Sequence, residues 1–218
     1  MKKLIVILLI GMISGSIWLL SCSKRNHDDD CGPFPNKFKS TGVFVYTLKV
    51  DSFDSLSRSY IFDTLKVTDT VQFNELAIQL TPEKSFYIGS AIRQKCASSV
   101  FNEAYACSPP IPYSDEQNDY IIITSTKDFD QTHKIGKNLT DLFDVVILDL
   151  FKNIIYYRMS LQDYLALRPN TKDELILILK KAPEKTDDFL FNIQYSRTLV
   201  SEQKLFVVES TKVVIINN

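Results

Sequence analysis

Short segments rich in β-branched and aromatic residues recur along the chain and constrain its fold more than any other feature. In several of these segments apolar and polar residues alternate, which is the pattern of a half-buried strand. About ten of them follow at short spacing, without the strand–helix alternation that a parallel sheet requires. We therefore predict a mainly β domain, an antiparallel β-sandwich of the Ig-like or Greek-key type with one or two short helices. The segments are 42–50, 59–67, 70–80, 84–90, 119–125, 144–150, 174–181, 189–197, 203–209 and 211–217.

Two places favour short helices. Ser160 and Asp163 resemble a capping box in SLQDYLALRP, and Pro169 ends that helix. Thr140 is a candidate N-cap for a helical turn that runs into the strand DVVILDL. The strand segment Asp119–Ser125, DYIIITS, is so apolar that we expect it to be buried on both faces. This pattern leaves the order of the strands open.

The N-terminus predicts export. Lys2 and Lys3 precede the largely apolar run Leu4–Leu20, which has the length of a signal-peptide core and is short for a spanning helix. Its last two residues and the two that follow, Leu19 to Cys22, read Leu-Leu-Ser-Cys, which resembles the lipobox of bacterial lipoproteins. Residues 1–21 are therefore predicted to be a lipoprotein signal peptide, with lipid attached to Cys22. An ordinary secretory signal and an uncleaved anchor are the alternatives.

Residues 22–40 are predicted to be a flexible acidic tether, followed by a single β-rich domain at 41–218. The tether contains Asp28–Asp30 and little apolar surface, so it has no means of forming a core. In Bacteroidetes lipoproteins an acidic cluster shortly after the lipidated cysteine is associated with display on the cell surface. We expect a lipid-anchored outer-membrane protein at the cell surface, with the periplasmic face as the alternative location.

Composition narrows the class of partner. Loss of Lys2 and Lys3 with the signal lowers the basic count from 25 to 23 against 26 acidic residues, a net charge near −3. That balance, without a basic stripe, argues against nucleic acid as a partner. The membrane is the predicted partner through the lipid anchor on Cys22. The only tryptophan, Trp18, lies in the signal peptide, so the mature chain is expected to lack tryptophan.

The remaining cysteines predict one disulfide. Exported chains lie where disulfides persist, and Cys31, Cys96 and Cys107 allow one bridge and one free thiol. Cys96–Cys107 is favoured because the two are close in sequence and Cys31 lies in the tether. Cys31 paired with either, or no bridge, are the alternatives. The spacing of cysteines and histidines gives no zinc motif.

Catalytic motifs are absent from the sequence. His27 lies in the tether, and His133 lies in a polar loop without a nucleophile placed by a motif, so a surface histidine is expected. The loop carboxylates Asp128 and Asp130, and Asp115, Glu116 and Asp119, match no calcium loop. We predict no enzyme activity, no metal and no cofactor.

Three triplets of aspartate, a hydroxyl residue and an aliphatic residue occur close together. Their hydroxyl residues are Ser55, Thr64 and Thr70. This triplet resembles the acceptor sequence for O-glycosylation in exported Bacteroidetes proteins. Hydroxyl residues beside aliphatic ones are also common in strands, so an ordinary strand remains the alternative.

The middle of the chain resembles a known family. Residues Tyr105–Phe143 contain a Cys-Ser-Pro segment, an isoleucine-rich strand and the pattern Gly136, Leu139, Asp141, Leu142, Phe143. This resembles a family of Bacteroidetes outer-membrane lipoproteins, a domain of unknown function. The resemblance implies lipidation at Cys22 and export, and it carries over no catalytic residues.

These observations favour a non-enzymatic surface binding or accessory module. A glycan or a protein is the expected ligand, and Tyr113 and Tyr120 are candidate contacts because sugar rings stack on flat aromatics. Packing of these two rings against the core is the alternative. A structural or assembly lipoprotein facing the periplasm is one alternative. A hydrolase built on the same sheets is the other.

Overall fold

The computed structural model describes residues 35–54, 59–89, 111–149, 154–172, 174–199 and 202–217. The sites predicted at Cys22, Cys31, Cys96, Cys107 and Ser55 lie outside this described part of the chain. The signal peptide, the lipid, the disulfide and that glycosylation site therefore stay predictions. Residues 35–89 and 111–218 form one compact unit.

The predicted mainly β character is confirmed, and antiparallel sheets dominate. In the described part, α1 is Leu161–Ala166, and two 3₁₀ turns are η1 (Phe73–Glu75) and η2 (Thr140–Leu142). The strands are β1 (Lys37–Asp54), β2 (Ser59–Thr64), β3 (Thr70–Gln72), β4 (Leu76–Tyr87), β5 (Gln117–Ser125), β6 (Phe143–Asp149), β7 (Ile154–Ser160), β8 (Leu175–Leu179), β9 (Asp187–Phe189), β10 (Phe191–Leu199), β11 (Glu202–Glu209) and β12 (Val213–Ile216). β1 begins at Lys37, four residues before the boundary that composition gave to the tether.

The strands form three sheets. The main sheet has six antiparallel strands in the order β2-β1-β4-β8-β6-β7, and it curls into a half-barrel. The second sheet has the order β11-β10-β5, and the third has the order β3-β12-β9. The third contains a parallel pair, β12 with β3, which the antiparallel prediction did not include. This arrangement does not confirm a sandwich of the Ig-like type.

The longest ladder joins β1 to β4. It runs antiparallel from Lys37 opposite Tyr87 to Lys49 opposite Leu76, with a bulge between Ser40 and Gly42. A bulge admits one extra residue and bends the strand, which shifts the side chains beyond it to the other face. β1 therefore turns one face to the interior before the bulge, at Phe38 and Ser40, and the other face after it, at Val43 and Val45.

Both helical predictions are confirmed in type. The Ser160 side chain accepts a 3.0 Å hydrogen bond from the Asp163 backbone N–H and caps α1, as a capping box requires. η2 precedes β6 as expected, but Thr140 is not its N-cap. The Thr140 hydroxyl instead donates to the Ile121 carbonyl at 2.9 Å, which ties η2 to β5.

The prediction that Asp119–Ser125 is buried on both faces is wrong. Ile121 and Ile123 are buried, whereas the residues that alternate with them, Tyr120, Ile122 and Thr124, are only partly buried. The burial alternates along β5, so one face of the strand packs on the core and the other turns toward solvent. An apolar strand at an edge can keep partly exposed isoleucines, because surfaces normally retain much apolar area.

The main core joins the inner faces of the sheets. The Phe143 and Phe191 rings meet edge to face at 5.9 Å, and the Phe189 and Phe191 rings stack at 6.3 Å. All five residues of β8 are buried, since this central strand is covered on both faces. One face of β8, with Leu175, Leu177 and Leu179, packs in the main core. The opposite face, with Ile176 and Ile178, packs in a smaller buried cluster with Leu48, Ala77 and Val146.

Candidate functional site

The outward side of β1 carries two exposed aromatic side chains. Phe44 is 52% exposed and Tyr46 is 43% exposed. They are two residues apart in a strand, so both point to the same face. Val43 and Val45, which alternate with them, pack against the main core. The two rings therefore point toward solvent from a strand whose opposite face is packed against the core.

Polar side chains lie across from these rings. Phe44 is opposite Thr81 and Tyr46 is opposite Gln79 in the β1–β4 ladder. The Gln79 side-chain amide donates to the Thr81 hydroxyl at 3.3 Å. We call these four residues the β1–β4 aromatic face. Two flat rings beside an amide and a hydroxyl can stack on a sugar or an apolar side chain and hydrogen-bond its polar groups.

The structure separates the two tyrosines that the sequence proposed as ligand contacts. Tyr113 is exposed and pairs with Lys37 of the main sheet, whose Nζ lies 5.3 Å from the centroid of its ring. Tyr120 lies on the second sheet, opposite Ser196. The two do not share a sheet. The aromatic pair that does share a face, Phe44 and Tyr46, was missed, although its Phe-x-Tyr spacing was visible in a predicted strand.

Lys37 is held by its surroundings. Its ammonium group forms an ion pair with Asp115, and that hydrogen bond raises the pKa of Lys37 above its ordinary value. The same amine lies over the Tyr113 ring, so the lysine, the carboxylate and the ring form one surface cluster. This cluster positions Tyr113.

His133, which was expected to be a surface histidine, has a side chain that is 16% exposed, and both of its ring nitrogens face carboxylates. Its Nδ1 lies 2.9 Å from Asp130 Oδ1, and its Nε2 lies 3.2 Å from both carboxylate oxygens of Asp141. Thr132 Oγ1 is 3.0 Å from the same Nδ1. A hydroxyl, an imidazole and a carboxylate thus lie in sequence, which is the order that a hydrolase needs.

The Asp130 carboxylate holds the loop together through hydrogen bonds. Its Oδ1 accepts the Thr132 hydroxyl at 2.7 Å as well as the backbone N–H groups of Thr132 and His133, each at 2.8 Å. The Thr132 hydroxyl hydrogen is then directed to a carboxylate rather than to the imidazole. Lys181 Nζ lies 2.8 Å from Asp130 Oδ2. Burial would raise the pKa of Asp130, but the hydrogen bonds from Lys181, Thr132 and His133 outweigh it and hold that pKa well below its usual range.

Asp128 supports the other end of the same loop. Its carboxylate accepts the Ile135 backbone N–H at 2.8 Å and pairs with Lys134 at 3.2 Å, and these contacts lower its pKa. Among the described residues, no three acidic, histidine or cysteine side chains come together as metal ligands. The loop carboxylates are thus used for hydrogen bonds within the loop.

A buried charged network lies where β1, β10 and β11 meet. Glu116 and Arg197 are each 1% exposed. The Glu116 carboxylate accepts the Ser40 backbone N–H at 3.1 and 3.0 Å and the Ser40 hydroxyl at 2.5 Å. Arg197 donates to the Ser40 hydroxyl, and Lys204 Nζ lies 3.7 Å from Glu116 Oε1. We interpret this network as structural, since the Glu116 and Arg197 side chains are closed to solvent, while the Lys204 side chain is 21% exposed.

Aromatic and hydroxyl groups complete the network. The Arg197 guanidinium lies 4.1 Å from the centroid of the Tyr195 ring, a cation–π contact. Burial raises the pKa of Tyr195, whose hydroxyl donates to Asn118 at 2.6 Å. Arg197 Nε is buried without a hydrogen-bond partner in the described part of the chain. One unpaired donor makes the network sensitive to the loss of its carboxylate.

Two of the three predicted glycosylation sites lie in the described part. Thr64, the last residue of β2, and Thr70, the first of β3, are both exposed. Exposure is the condition that an attached glycan requires, and an ordinary strand residue at the surface meets it as well.

Comparison of the chain with protein-family models, with curated proteins and with solved structures finds no match. Within the described residues, no helix has the length and apolar character to cross a membrane.

Proposed function

We propose that the protein is a lipid-anchored outer-membrane protein without catalytic activity, which binds a glycan or a protein through its β1–β4 aromatic face. The observation that carries the proposal is the exposure of Phe44 and Tyr46 on one face, beside Gln79 and Thr81. The lipid anchor is supported by the lipobox at Cys22 and by the resemblance of residues 105–143 to Bacteroidetes lipoproteins.

The binding surface can be tested with glycans directly. Native electrophoresis through gels that contain one neutral polysaccharide each, from a panel of soluble glucans, xylans and mannans, should show retardation by at least one. Phe44→Ala and Tyr46→Ala should each weaken binding about threefold to tenfold, since an aromatic contact contributes about 0.5–1.5 kcal/mol.

Ile135→Ala is the matched control, because Ile135 is an exposed apolar residue in the loop that follows β5. It should leave retardation unchanged. Full binding in the Phe44→Ala/Tyr46→Ala double variant would contradict the site. If no polysaccharide retards the protein, crosslinking on host cells, compared between wild type and the double variant, tests a protein ligand at the same face.

Mass spectrometry of the protein from its host tests the covalent modifications. We expect a chain that begins at Cys22 and carries lipid there, with additional sugar mass at Ser55, Thr64 and Thr70. Cys22→Ser should retain the signal peptide and lack the lipid. Bare peptides at all three hydroxyl residues would refute the glycosylation proposal and leave the anchor untouched.

Protease treatment of intact host cells distinguishes the cell surface from the periplasmic face. Loss of the protein from intact cells would support the proposal that the acidic run Asp28–Asp30 is an export signal. Loss only from lysed cells would make that run a tether and favour the alternative, a structural or assembly lipoprotein facing the periplasm.

The sandwich of Ig-like or Greek-key type remains part of this proposal. Packing of the second sheet on the main sheet through one core is its support. An experimental structure in which the two sheets do not pack face to face would refute it.

The Thr132–His133–Asp141 arrangement is the observation that favours a hydrolase. The four hydrogen bonds to Asp130 Oδ1 are the reason that we do not propose one.

A further inference from the structure

The β1–β4 aromatic face is one end of a longer surface on the same side of the main sheet. Residues that lie opposite each other in an antiparallel ladder point to the same face. The extra residue at the bulge belongs to β1, so alternate residues of β4 mark this face throughout. Along the face the ladder pairs are, in order, Tyr46 with Gln79, Phe44 with Thr81, Gly42 with Glu83, Lys39 with Ser85 and Lys37 with Tyr87.

Tyr113 extends this face at its far end. It forms a parallel bridge with Lys37, so the two side chains point to the same face, and the Lys37 Nζ lies 5.3 Å from the centroid of the Tyr113 ring. Among the groups that raise the pKa of Lys37, Asp115 acts most strongly, and the hydroxyls of Tyr113 and Tyr87 follow. Both rings therefore lie beside this lysine, and aromatic side chains occupy both ends of the face.

The middle of the face is polar. Lys39 and Glu83 are both exposed there. A Cβ atom at Gly42 would lie 2.6 Å from Glu83 Oε2, so the glycine leaves room for the Glu83 carboxylate over β1. A carboxylate accepts hydrogen bonds through two oxygens, and an ammonium group donates them. We call the whole face the β1–β4 track, which contains Tyr46, Phe44, Gln79, Thr81, Glu83, Lys39, Ser85, Lys37, Tyr87 and Tyr113.

The composition of the track selects its ligand. An acyl chain or a bilayer would take Lys39 and Glu83 out of water without giving them a partner, which is costly. The exposed charges in the middle have opposite signs, and Lys37 is paired with Asp115, so the track favours a ligand without net charge. A polysaccharide fits, because each sugar presents an apolar ring face to stack on an aromatic side chain and hydroxyls to pair with polar groups.

The length of the track indicates an extended chain. Gln79 and Tyr87, which mark its two ends on β4, are eight residues apart, about 27 Å at the rise of a strand. A single sugar reaches the rings at one end only. A linear chain of several sugars can stack on Phe44 and Tyr46 and still reach Tyr113.

We propose that the β1–β4 track binds one extended, uncharged polysaccharide chain along its whole length. This inference rests on the proposed function and narrows its ligand from a glycan or a protein to a linear neutral polysaccharide. The rings at both ends stack on sugars, and Glu83 and Lys39 hydrogen-bond the sugars between them. Because the far end is reached only by a long chain, affinity rises with the number of sugars.

The test uses the neutral polysaccharide that retards the wild type most in the electrophoresis panel. Isothermal titration calorimetry compares its oligosaccharides, from the disaccharide to the octasaccharide, on the full chain. For the wild type, affinity should rise about tenfold or more over this series. Tyr113→Ala and Glu83→Gln should each weaken binding of the octasaccharide about threefold to tenfold, so that the gain with length shrinks.

Phe86→Ala is the matched control. Phe86 is next to Tyr87 in β4 and is 53% exposed, but it points to the opposite face, where its ring meets Phe38 edge to face at 6.3 Å. This variant should bind the octasaccharide as the wild type does. Circular dichroism of each variant confirms that it is folded before binding is compared.

The possible outcomes separate the track from the proposed function. Wild-type affinity for the octasaccharide in Tyr113→Ala and Glu83→Gln, with weaker binding in Phe44→Ala, would overturn the track and leave the proposed site standing. Tighter binding of a polyuronic acid than of any neutral chain would overturn it as well. If no polysaccharide of the panel binds the wild type, the track is refuted, and the crosslinking comparison still decides whether Phe44 and Tyr46 bind a protein. Unchanged binding in every variant, the Phe44→Ala/Tyr46→Ala double variant included, would refute both.

Discussion

Glu116→Gln is expected to lower the free energy of unfolding by about 3–5 kcal/mol, because removing one partner of a buried ion pair leaves the other charge uncompensated. The partner is Arg197, whose Nη1 lies 3.9 Å from Glu116 Oε2 in a site closed to solvent. Arg197 Nε already lacks a hydrogen-bond partner in the described part of the chain. The neutral amide would add an NH₂ group facing the Ser40 N–H, which now donates to the carboxylate.

Asp115→Asn is the matched control. Asp115 is the adjacent carboxylate, but its side chain is 39% exposed and its ion pair with Lys37 lies at the surface. Exposed pairs contribute about 1 kcal/mol or less, so urea unfolding of this variant should resemble that of the wild type. Equal midpoints for both variants would contradict the account of the buried network.

A second substitution separates charge from packing. Arg197→Met, added to Glu116→Gln, removes the orphaned charge and keeps an apolar side chain over the Tyr195 ring. Replacing both members of a buried pair is often much less costly than removing one. The double variant should therefore recover a large part of the stability that Glu116→Gln loses. Additive losses would mean that the two side chains act independently.

The strands were predictable because their signal is local. Alternation and β-branched residues mark segments such as 42–50 and 203–209 without any knowledge of their neighbours. The helix at Leu161–Ala166 was equally local, since its cap and its stop lie within ten residues. The sequence pattern did not indicate which strands pair with each other. β8 inserts between β4 and β6 of the main sheet, and β12 pairs with β3 in parallel across most of the chain.

The buried charges escaped prediction for the same reason. Glu116 looked like one of several loop carboxylates, because its partner Ser40 is 76 residues away in the sequence. Asp130 looked like a solvated loop residue, because its contact with Lys181, 51 residues away in the sequence, also depends on the fold. The exposure of Phe44 and Tyr46 was hidden in another way, since aromatic residues in an alternating strand normally indicate the buried face.

Asp130→Asn is expected to lower the free energy of unfolding by about 2–3 kcal/mol at neutral pH, because several hydrogen bonds to a charged acceptor are lost or weakened. The carboxylate serves the backbone of the 130–133 loop, the His133 ring and Lys181 at once. An asparagine can accept through one oxygen only, and it removes the charge that attracts Lys181. Chemical unfolding monitored by circular dichroism measures the change.

The same carboxylate predicts how stability depends on pH. Its pKa is well below the ordinary value in the folded protein, so above about pH 4 it is charged in both the folded and unfolded states and contributes fully. As the pH falls below about 4, the unfolded chain takes up the proton first, and the contribution is lost progressively. Asp128→Asn is the control, since that side chain is 54% exposed and also serves a backbone N–H. The stability of wild type and of Asp128→Asn should fall more steeply between pH 5 and pH 2 than that of Asp130→Asn. Parallel curves for all three would show that Asp130 is not a group whose titration weakens the fold in acid.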